Sequence, residues 1–218
     1  MKPSIGILGG LALLAAVPVA ADATHRPGHG DGARSLTISA QPNPVVYGRT
    51  TVISGRLRGP DRTGKPVTLL GAPYPYSDLR TLATAATDGN GDYSFTQRPL
   101  ANTRYRTRTQ SVQSPDLTVL VRIRTSLHVS DSTPRSGQLV TFSGRACPEH
   151  DGSLVAIQRR TRTGSWRTAR RTRLRDATRC SVYRRRFRVY RDGTFRAVVA
   201  ADADHARGIS GRRFLNAS

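Results

Sequence analysis

Two segments decide the fold: Tyr47-Gly48-Arg49-Thr50-Thr51-Val52-Ile53-Ser54-Gly55-Arg56 and Ser136-Gly137-Gln138-Leu139-Val140-Thr141-Phe142-Ser143-Gly144-Arg145. They lie 89 residues apart, and both end in Ser-Gly-Arg. Three further matches keep the same order at offsets of 87 to 90: Val67 and Leu69 with Val155 and Ile157, Leu79-Arg80-Thr81 with Trp166-Arg167-Thr168, and Tyr105-Arg106 with Phe195-Arg196. A nearly constant offset over four matches predicts a duplicated domain.

The local pattern within each copy is that of β-strands. Short runs rich in Thr, Val, Tyr and Phe lie between turn clusters such as Arg58-Gly59-Pro60-Asp61 and Thr87-Asp88-Gly89-Asn90-Gly91-Asp92. No stretch after residue 23 carries apolar residues at helical spacing over three turns. The sequence therefore predicts an all-β protein of two tandem Ig-like β-sandwich domains, with an unclosed barrel as the alternative.

The first residues have the layout of a secretory signal peptide. Lys2 gives a basic start, residues 5–19 form an apolar run, and Ala21-Asp22-Ala23 offers small residues at a cleavage site. A membrane anchor is the alternative, but the run is short for a membrane span and contains Gly9 and Gly10. We expect residues 1–23 to be a signal peptide and the mature protein to be secreted, without an integral membrane segment.

The predicted boundaries follow from composition and from the repeat. Residues 24–34 form a polar, Gly-containing arm that is expected to be disordered. The first sandwich is predicted at residues 35–122 and the second at residues 125–213. The join at residues 119–125 contains no Gly or Pro, so a strand of the first domain is expected to lead almost directly into the second.

Four segments of the first copy resemble the Ig-like and transthyretin-like Greek-key repeats of secreted actinobacterial proteins: residues 54–56, 65–69, 87–95 and 102–106. The resemblance implies a seven-strand sandwich used for display, adhesion or spacing, and it implies no catalytic residues. The second copy follows the pattern more loosely, because it lacks the Asp-Gly-Asn-Gly turn and has a pair of cysteines instead.

Those two cysteines, Cys147 and Cys180, are the only ones in the chain. In an oxidising compartment a pair within one domain predicts a disulfide, worth about 3–4 kcal/mol on the chain-entropy model. The alternative makes Cys147 a nucleophile with His150 nearby. A catalytic thiol needs a base and an electropositive pocket, whereas this segment is a Pro-containing loop. The disulfide is the prediction.

No metal site, cofactor or catalytic motif is predicted. Asp88, Asn90 and Asp92 have the first ligand spacings of a calcium loop, but Tyr93 and Pro99 stand where that loop needs Gly and Glu. The remaining candidate ligands are interpreted as solvated (His25, His29, Asp31, Asp202 and Asp204) or as scattered without ligand spacing (His128, His150 and His205). Since nucleophile-elbow and phosphate-binding motifs are also missing, we expect a protein that is not an enzyme.

The charge needs a functional explanation. The chain has 35 basic and 14 acidic residues, a formal net charge of +21, and all basic residues except Lys2 and Lys65 are arginine. Residues 34–124 hold 13 basic and 5 acidic residues, whereas residues 125–218 hold 20 and 7. Such an excess attracts polyanions, at least non-specifically.

Three arginine-rich runs lie in successive predicted strands or hairpins of the second domain, and alternate residues of a strand share a face. One face is expected to carry Arg167, Arg171, Arg173 and Arg175. Another is expected to carry Arg184, Arg186 and Arg188. Breaks in the alternation at Arg170 and Arg185 indicate a bulge or a different register. The predicted polyanion-binding residues are Arg159, Arg160, Arg167, Arg171, Arg173, Arg175, Arg184, Arg186 and Arg188.

The abundant partners outside a bacterial cell are anionic: wall phosphate polymers, lipid head groups and extracellular DNA. We expect a secreted, non-catalytic module that binds an anionic surface or wall polymer through an Arg-rich sheet of the second domain. Non-specific binding of nucleic acid fits the same charge, but aromatic residues, at 6%, are too scarce for base readout. The alternative is a structural spacer or protein-binding accessory pair whose charge serves solubility alone.

Overall fold

The computed structural model describes residues 33–110 and 112–218 and contains nineteen strands and no helix among them. The predicted all-β fold is confirmed. Within this part of the chain, no helix is long and apolar enough to cross a membrane. The predicted signal peptide and all but the last two residues of the predicted arm lie outside the described residues.

The strands fall into two sets along the chain. The first set is β1 (Ser35–Leu36), β2 (Ser39–Gln41), β3 (Val45–Val46), β4 (Thr51–Arg58), β5 (Pro66–Pro73), β6 (Arg80–Ala86), β7 (Asp92–Gln97), β8 (Thr103–Arg108), β9 (Leu117–Val119) and β10 (Val121–Arg122). The second set is β11 (Arg124–Thr125), β12 (His128–Val129), β13 (Gln138–Cys147), β14 (Leu154–Arg160), β15 (Trp166–Arg173), β16 (Ser181–Val189), β17 (Gly193–Val199), β18 (Gly208–Ile209) and β19 (Arg213–Leu215).

The first set forms two antiparallel sheets over one apolar core. In one sheet β4 is central, with β1 and β2 on one side and β7 on the other. The other sheet has the order β6-β5-β8-β9, and β3 pairs with β10 in parallel. The shared core includes Ile53, Val67, Leu69, Phe95 and Tyr105.

The second set repeats this arrangement. Strand β13 is central in one sheet, with β11 and β12 on one side and β16 on the other. The other sheet has the order β15-β14-β17, and both β18 and β19 pair with the far side of β17. Residues 216–218 bond to residues 132–136 where the first set has the β3–β10 pairing, and the Ser136 N–H donates to Ser218 O over 2.8 Å. The second core includes Phe142, Ile157, Phe187, Phe195 and Leu215.

The two copies of Ser-Gly-Arg occupy the same place in the two sets. A Cβ atom on Gly144 would lie 2.1 Å from the carbonyl oxygen of Ser126, so only glycine fits there. The Tyr183 hydroxyl donates to that same oxygen over 2.8 Å. Gly55 and Tyr93 repeat this arrangement in the first set.

A β-bulge also recurs at equivalent positions. The β5–β6 ladder shifts register between Leu69 and Leu70, and the β14–β15 ladder shifts between Ile157 and Gln158, 88 residues further on. Bulges are local departures from regular pairing, so their recurrence at the repeat offset supports a duplication.

The predicted disulfide is confirmed. Cys147 and Cys180 are joined with an S–S distance of 2.08 Å. The last pair of the β13–β16 ladder is Ala146 with Ser181, and the disulfide joins the two residues that come next along the ladder, Cys147 and Cys180. Cys147 therefore has no thiol to act as a nucleophile.

The two sets are joined by one residue. Strand β10 ends at Arg122 and β11 begins at Arg124, so one strand leads almost directly into the next, as expected. Ile123 between them is 1% exposed, and its N–H donates to Ala206 O over 3.0 Å. The Ala206 N–H in turn donates to Val121 O over 2.7 Å. All described residues belong to one compact unit.

Candidate functional site

The arginines of β16 lie as alternation predicts. The ladder between β13 and β16 keeps one register over its whole length. Phe187 and Val189 are buried on the inner row of the strand. The exposed outer row consists of Arg184, Arg186 and Arg188.

The arginines of β15 differ from the prediction because of the bulge. Arg171 and Arg173 lie on the outer row of the sheet, opposite Ala156 and Leu154 of β14. Arg167 pairs with Arg159, which belongs to the inner row. The expectation that Arg167 shares a face with Arg171 and Arg173 is therefore wrong, because one extra residue in a strand reverses the side of every residue beyond it.

The two arginine strands do not form one Arg-rich sheet, because each is the edge strand of a different sheet. Arg175 pairs with Val182 at a single bridge between them. Arg170 and Arg185 are exposed along the open side between the sheets, and the Arg170 guanidinium lies 5.5 Å from the Phe187 ring centroid. The positive charge thus extends over one side of the second set of strands, across the edges of both of its sheets. We call this surface the arginine edge; it comprises Arg170, Arg171, Arg173, Arg175, Arg184, Arg185, Arg186 and Arg188.

An open groove of about 650 Å³ adds further arginines at residues 159–162 and 190–194. Arg159, whose guanidinium donates to Asp192 O, lines it from the inner row of β14. Tyr190 and Phe214 also line it, and they are 62% and 59% exposed. We call it the arginine groove; its basic residues are Arg159, Arg160, Arg162 and Arg191. The sequence did not predict Arg162, Arg191 or the two rings here, because they come together from two loops and β19.

Ion pairing differs sharply between the two halves of the described chain, residues 33–122 with the first set of strands and residues 124–218 with the second. The first half pairs three arginines with carboxylates: Arg34 with Asp61, Arg56 with Asp92, and Arg106 with Asp116. Hydrogen bonds from Arg56 and Arg106 lower the pKa of Asp92 and of Asp116. Among the described residues after Arg124, no arginine lies within 4.0 Å of a carboxylate oxygen. The charge of the arginine edge and groove is therefore not neutralised internally.

A further basic patch surrounds the single tryptophan. The guanidinium of Arg196 lies 4.1 Å from the Trp166 ring centroid, and that of Arg212 lies 5.8 Å from it. Burial and the nearby charges of Arg207 and Arg212 lower the pKa of Arg196. These cation–π contacts place the guanidinium groups of Arg196, in β17, and Arg212, before β19, beside the Trp166 ring of β15.

Two loops of the second half bring together four side chains that the sequence interpretation left apart. His150 lies between β13 and β14, and Asp202, Asp204 and His205 lie between β17 and β18. One ligand atom from each of the four lies within 4.8 Å of all the others. The two histidine side chains are 4% exposed, whereas those of Asp202 and Asp204 are 37% and 45% exposed. His128, in β12, is exposed and does not join them.

Each histidine is held by a backbone carbonyl. His150 Nδ1 lies 2.9 Å from Pro148 O, and His205 Nε2 lies 2.7 Å from Leu100 O. The other ring nitrogens face the carboxylates: His150 Nε2 is 2.9 Å from Asp202 Oδ2, and His205 Nδ1 is 3.1 Å from Asp204 Oδ1.

The two carboxyl groups of this cluster differ in acidity. Burial raises the pKa of Asp202, and the adjacent Asp204 raises it further. Burial alone would raise the pKa of Asp204, but its interactions with the neighbouring Asp202 and His205 lower the pKa overall. A second group of possible metal ligands consists of exposed carboxylates alone: Glu149, Asp151 and Asp176.

No protein-family model matches this sequence, and no curated protein shows a significant match to it.

Proposed function

We propose that the chain is a secreted, non-catalytic protein of two tandem Ig-like domains, residues 35–122 and 125–213, the second of which binds an anionic polymer of the cell surface. The Ig-like assignment is supported by the strand order that the two copies share and, in the first copy, by the parallel pairing of β3 with β10. Export is supported by the disulfide, which persists in oxidising compartments.

The observation that carries the binding proposal is the unpaired charge of the arginine edge. Its eight guanidinium groups are exposed, and no described carboxylate pairs with them. An incoming anion therefore displaces no internal ion pair. Guanidinium groups donate to two oxygens of a phosphate at once, which favours polymers with repeated phosphate groups.

The arginine groove is the proposed binding site for part of the polymer chain. Its volume of about 650 Å³ is in the range of ligand sites, and it combines four arginines with two exposed rings. The rings of Tyr190 and Phe214 offer apolar faces to the units between phosphates. The groove and the arginine edge share the β16–β17 side of the sandwich, since Arg188 and Arg191 belong to the adjoining pocket that also contains Arg170.

The test is the salt dependence of binding to a polyglycerol-phosphate wall polymer, with duplex DNA as a second ligand. A variant with Arg171→Glu, Arg173→Glu, Arg184→Glu and Arg186→Glu is compared with one that reverses Arg49, Arg58, Arg80 and Arg108. The matched arginines are also exposed, lie in the first half and form no ion pair among the described residues.

We expect wild-type binding to persist above about 0.15 M salt. On DNA, the plot of log K against log salt has a negative slope, and each lost phosphate contact should make that slope less negative by about 0.9. The second-half variant should lose most of the binding, and the first-half variant little. Equal losses would contradict a site on the second domain, and release of the wild type below 0.15 M salt would favour the spacer function. Tighter binding to DNA than to the wall polymer would indicate that the partner is nucleic acid instead.

A further inference from the structure

The hydrogen bonds of His150 and His205 determine which ring nitrogens carry protons. A carbonyl oxygen can only accept, so His150 Nδ1 and His205 Nε2 must each donate to the carbonyl that faces it. In a neutral imidazole the other nitrogen then carries a lone pair. Those lone pairs, on His150 Nε2 and His205 Nδ1, point at the carboxylates of Asp202 and Asp204.

A lone pair that faces a carboxylate oxygen at 2.9 or 3.1 Å is repelled unless a proton or a cation lies between them. His205 Nδ1 is buried and has no hydrogen-bond partner, although Asp204 Oδ1 lies 3.1 Å away. A buried ring nitrogen without a partner is costly, and here it points directly into a group of metal-ligating side chains.

We propose that His150, Asp202, Asp204 and His205 bind one divalent transition-metal ion of the Zn²⁺ type. Two neutral imidazoles and two carboxylates supply four N and O ligands, and the two negative charges balance a divalent cation. Ligand atoms of a tetrahedral zinc site lie roughly 3.3 Å apart, as follows from Zn–N bonds of about 2.0–2.1 Å. The two N–O distances are close to that value, and all four atoms lie within 4.8 Å of one another.

The supporting contacts are those that metal ligands require. Ligating histidines almost always donate their other ring N–H to a carbonyl or carboxylate, which fixes the tautomer, and both histidines do so here. The Asp202 carboxylate accepts from the His205 N–H over 2.8 Å, so the Asp202–His205 turn is held before any ion arrives.

All four ligands belong to the second half, and one of them, His205, also contacts the first half. Leu100, which holds His205 through its carbonyl, follows β7 in the first half. The Tyr47 ring also contacts His205, with centroids 6.0 Å apart. The proposal is independent of polymer binding, because no residue of the arginine edge or groove takes part.

The test uses the full chain, treated with a chelator and then titrated with Zn²⁺ by calorimetry. We expect one ion per chain and a rise in the thermal unfolding midpoint. Asp204→Asn and His150→Gln should each weaken binding at least about 100-fold, because even loss of an outer contact to a ligand costs 10- to 100-fold. Co²⁺ should replace Zn²⁺ and give the visible absorption of a tetrahedral site, which both variants lose.

Three control variants should bind Zn²⁺ like the wild type. His128→Gln removes an exposed histidine of the same half, Glu149→Gln disrupts the exposed carboxylate group, and His25→Gln with His29→Gln removes the histidines of the N-terminal arm. An unchanged midpoint with Zn²⁺, or binding that survives both ligand variants and disappears in a control, would overturn the proposal. Because Asp204 is half-exposed and Asn has the same shape, circular dichroism should show an intact fold for Asp204→Asn.

Discussion

Gly144 lies where the backbone between β11 and β12 approaches β13 so closely that no side chain fits. The carbonyl oxygen of Ser126 lies 2.1 Å from where a Cβ atom would be, and the Tyr183 hydroxyl donates to this oxygen. The Ser126 hydroxyl also accepts from the Arg145 N–H over 3.0 Å. Burial raises the pKa of Tyr183, so its hydroxyl stays a donor at neutral pH. The repeated Ser-Gly-Arg sequence therefore marks a structural contact.

The substitution Gly144→Ala tests this contact. An added Cβ atom 2.1 Å from a backbone oxygen forces the segment between β11 and β12 to move, and we expect a loss of about 2–3 kcal/mol in the free energy of unfolding. Gly211→Ala is the matched control, because nothing lies within 4 Å of its Cβ position. It should change stability by no more than about 0.5 kcal/mol in urea unfolding. Similar urea midpoints for the two variants would contradict the steric explanation.

The equivalent ladders of the two copies are fastened near the same end by different chemistry. In the first copy the β4–β7 ladder ends at Arg56 opposite Asp92, and these two form an ion pair with N–O distances of 2.5 and 2.8 Å. In the second copy the disulfide joins the position after the last pair of the β13–β16 ladder. At the equivalent ladder position the second copy pairs Arg145 with Val182, so it has no ion pair there.

Removal of the disulfide should destabilise the second half in particular. Cys147 and Cys180 are 33 residues apart, and a loop of that size is worth about 3–4 kcal/mol on the chain-entropy model. The double variant Cys147→Ser, Cys180→Ser should therefore unfold at a lower urea concentration when followed by the fluorescence of Trp166, the only tryptophan. Wild type with the disulfide reduced should unfold like the variant. If the variant keeps the wild-type midpoint, the link does not stabilise this ladder.

The two arginine-rich strands show how far the sequence predicts the site. Alternation placed Arg184, Arg186 and Arg188 correctly, because the β13–β16 ladder has no shift. It failed at Arg167, because the bulge at Ala169 depends on pairing with β14 rather than on β15 alone. The break in alternation at Arg170 was the local sign of that bulge.

The histidine–aspartate cluster could not be predicted from local sequence patterns. Asp202-Ala203-Asp204-His205 is a compact set of ligands in the sequence, but its partner His150 lies 52 residues before Asp202. Only the folded topology brings them together, since His150 follows β13 and Asp202 follows β17. Residue spacing alone does not carry that information.

For the whole molecule, the decisive question is whether the two halves unfold together. Asn102 lies at the centre of their junction: its Oδ1 accepts from the Val121 N–H over 2.8 Å, and its own N–H donates to Asp204 O over 2.8 Å. Its Nδ2 also donates to Ala203 O over 3.4 Å. Together with the bonds between Ile123, Val121 and Ala206, these contacts predict one cooperative transition.

Cooperativity is measured by comparing Trp166 fluorescence, which reports the second half, with far-ultraviolet circular dichroism, which reports both. In the wild type the two urea transitions should coincide. Asn102→Ala leaves the buried N–H of Val121 without its acceptor, at a cost of about 1–3 kcal/mol, and should separate them. Asn43→Ala is the control, because Asn43 accepts from the neighbouring Leu120 N–H over 2.9 Å but bonds within the first half. It should lower stability without separating the probes. Separate transitions already in the wild type would mean that the halves fold independently and that the junction contacts carry no coupling.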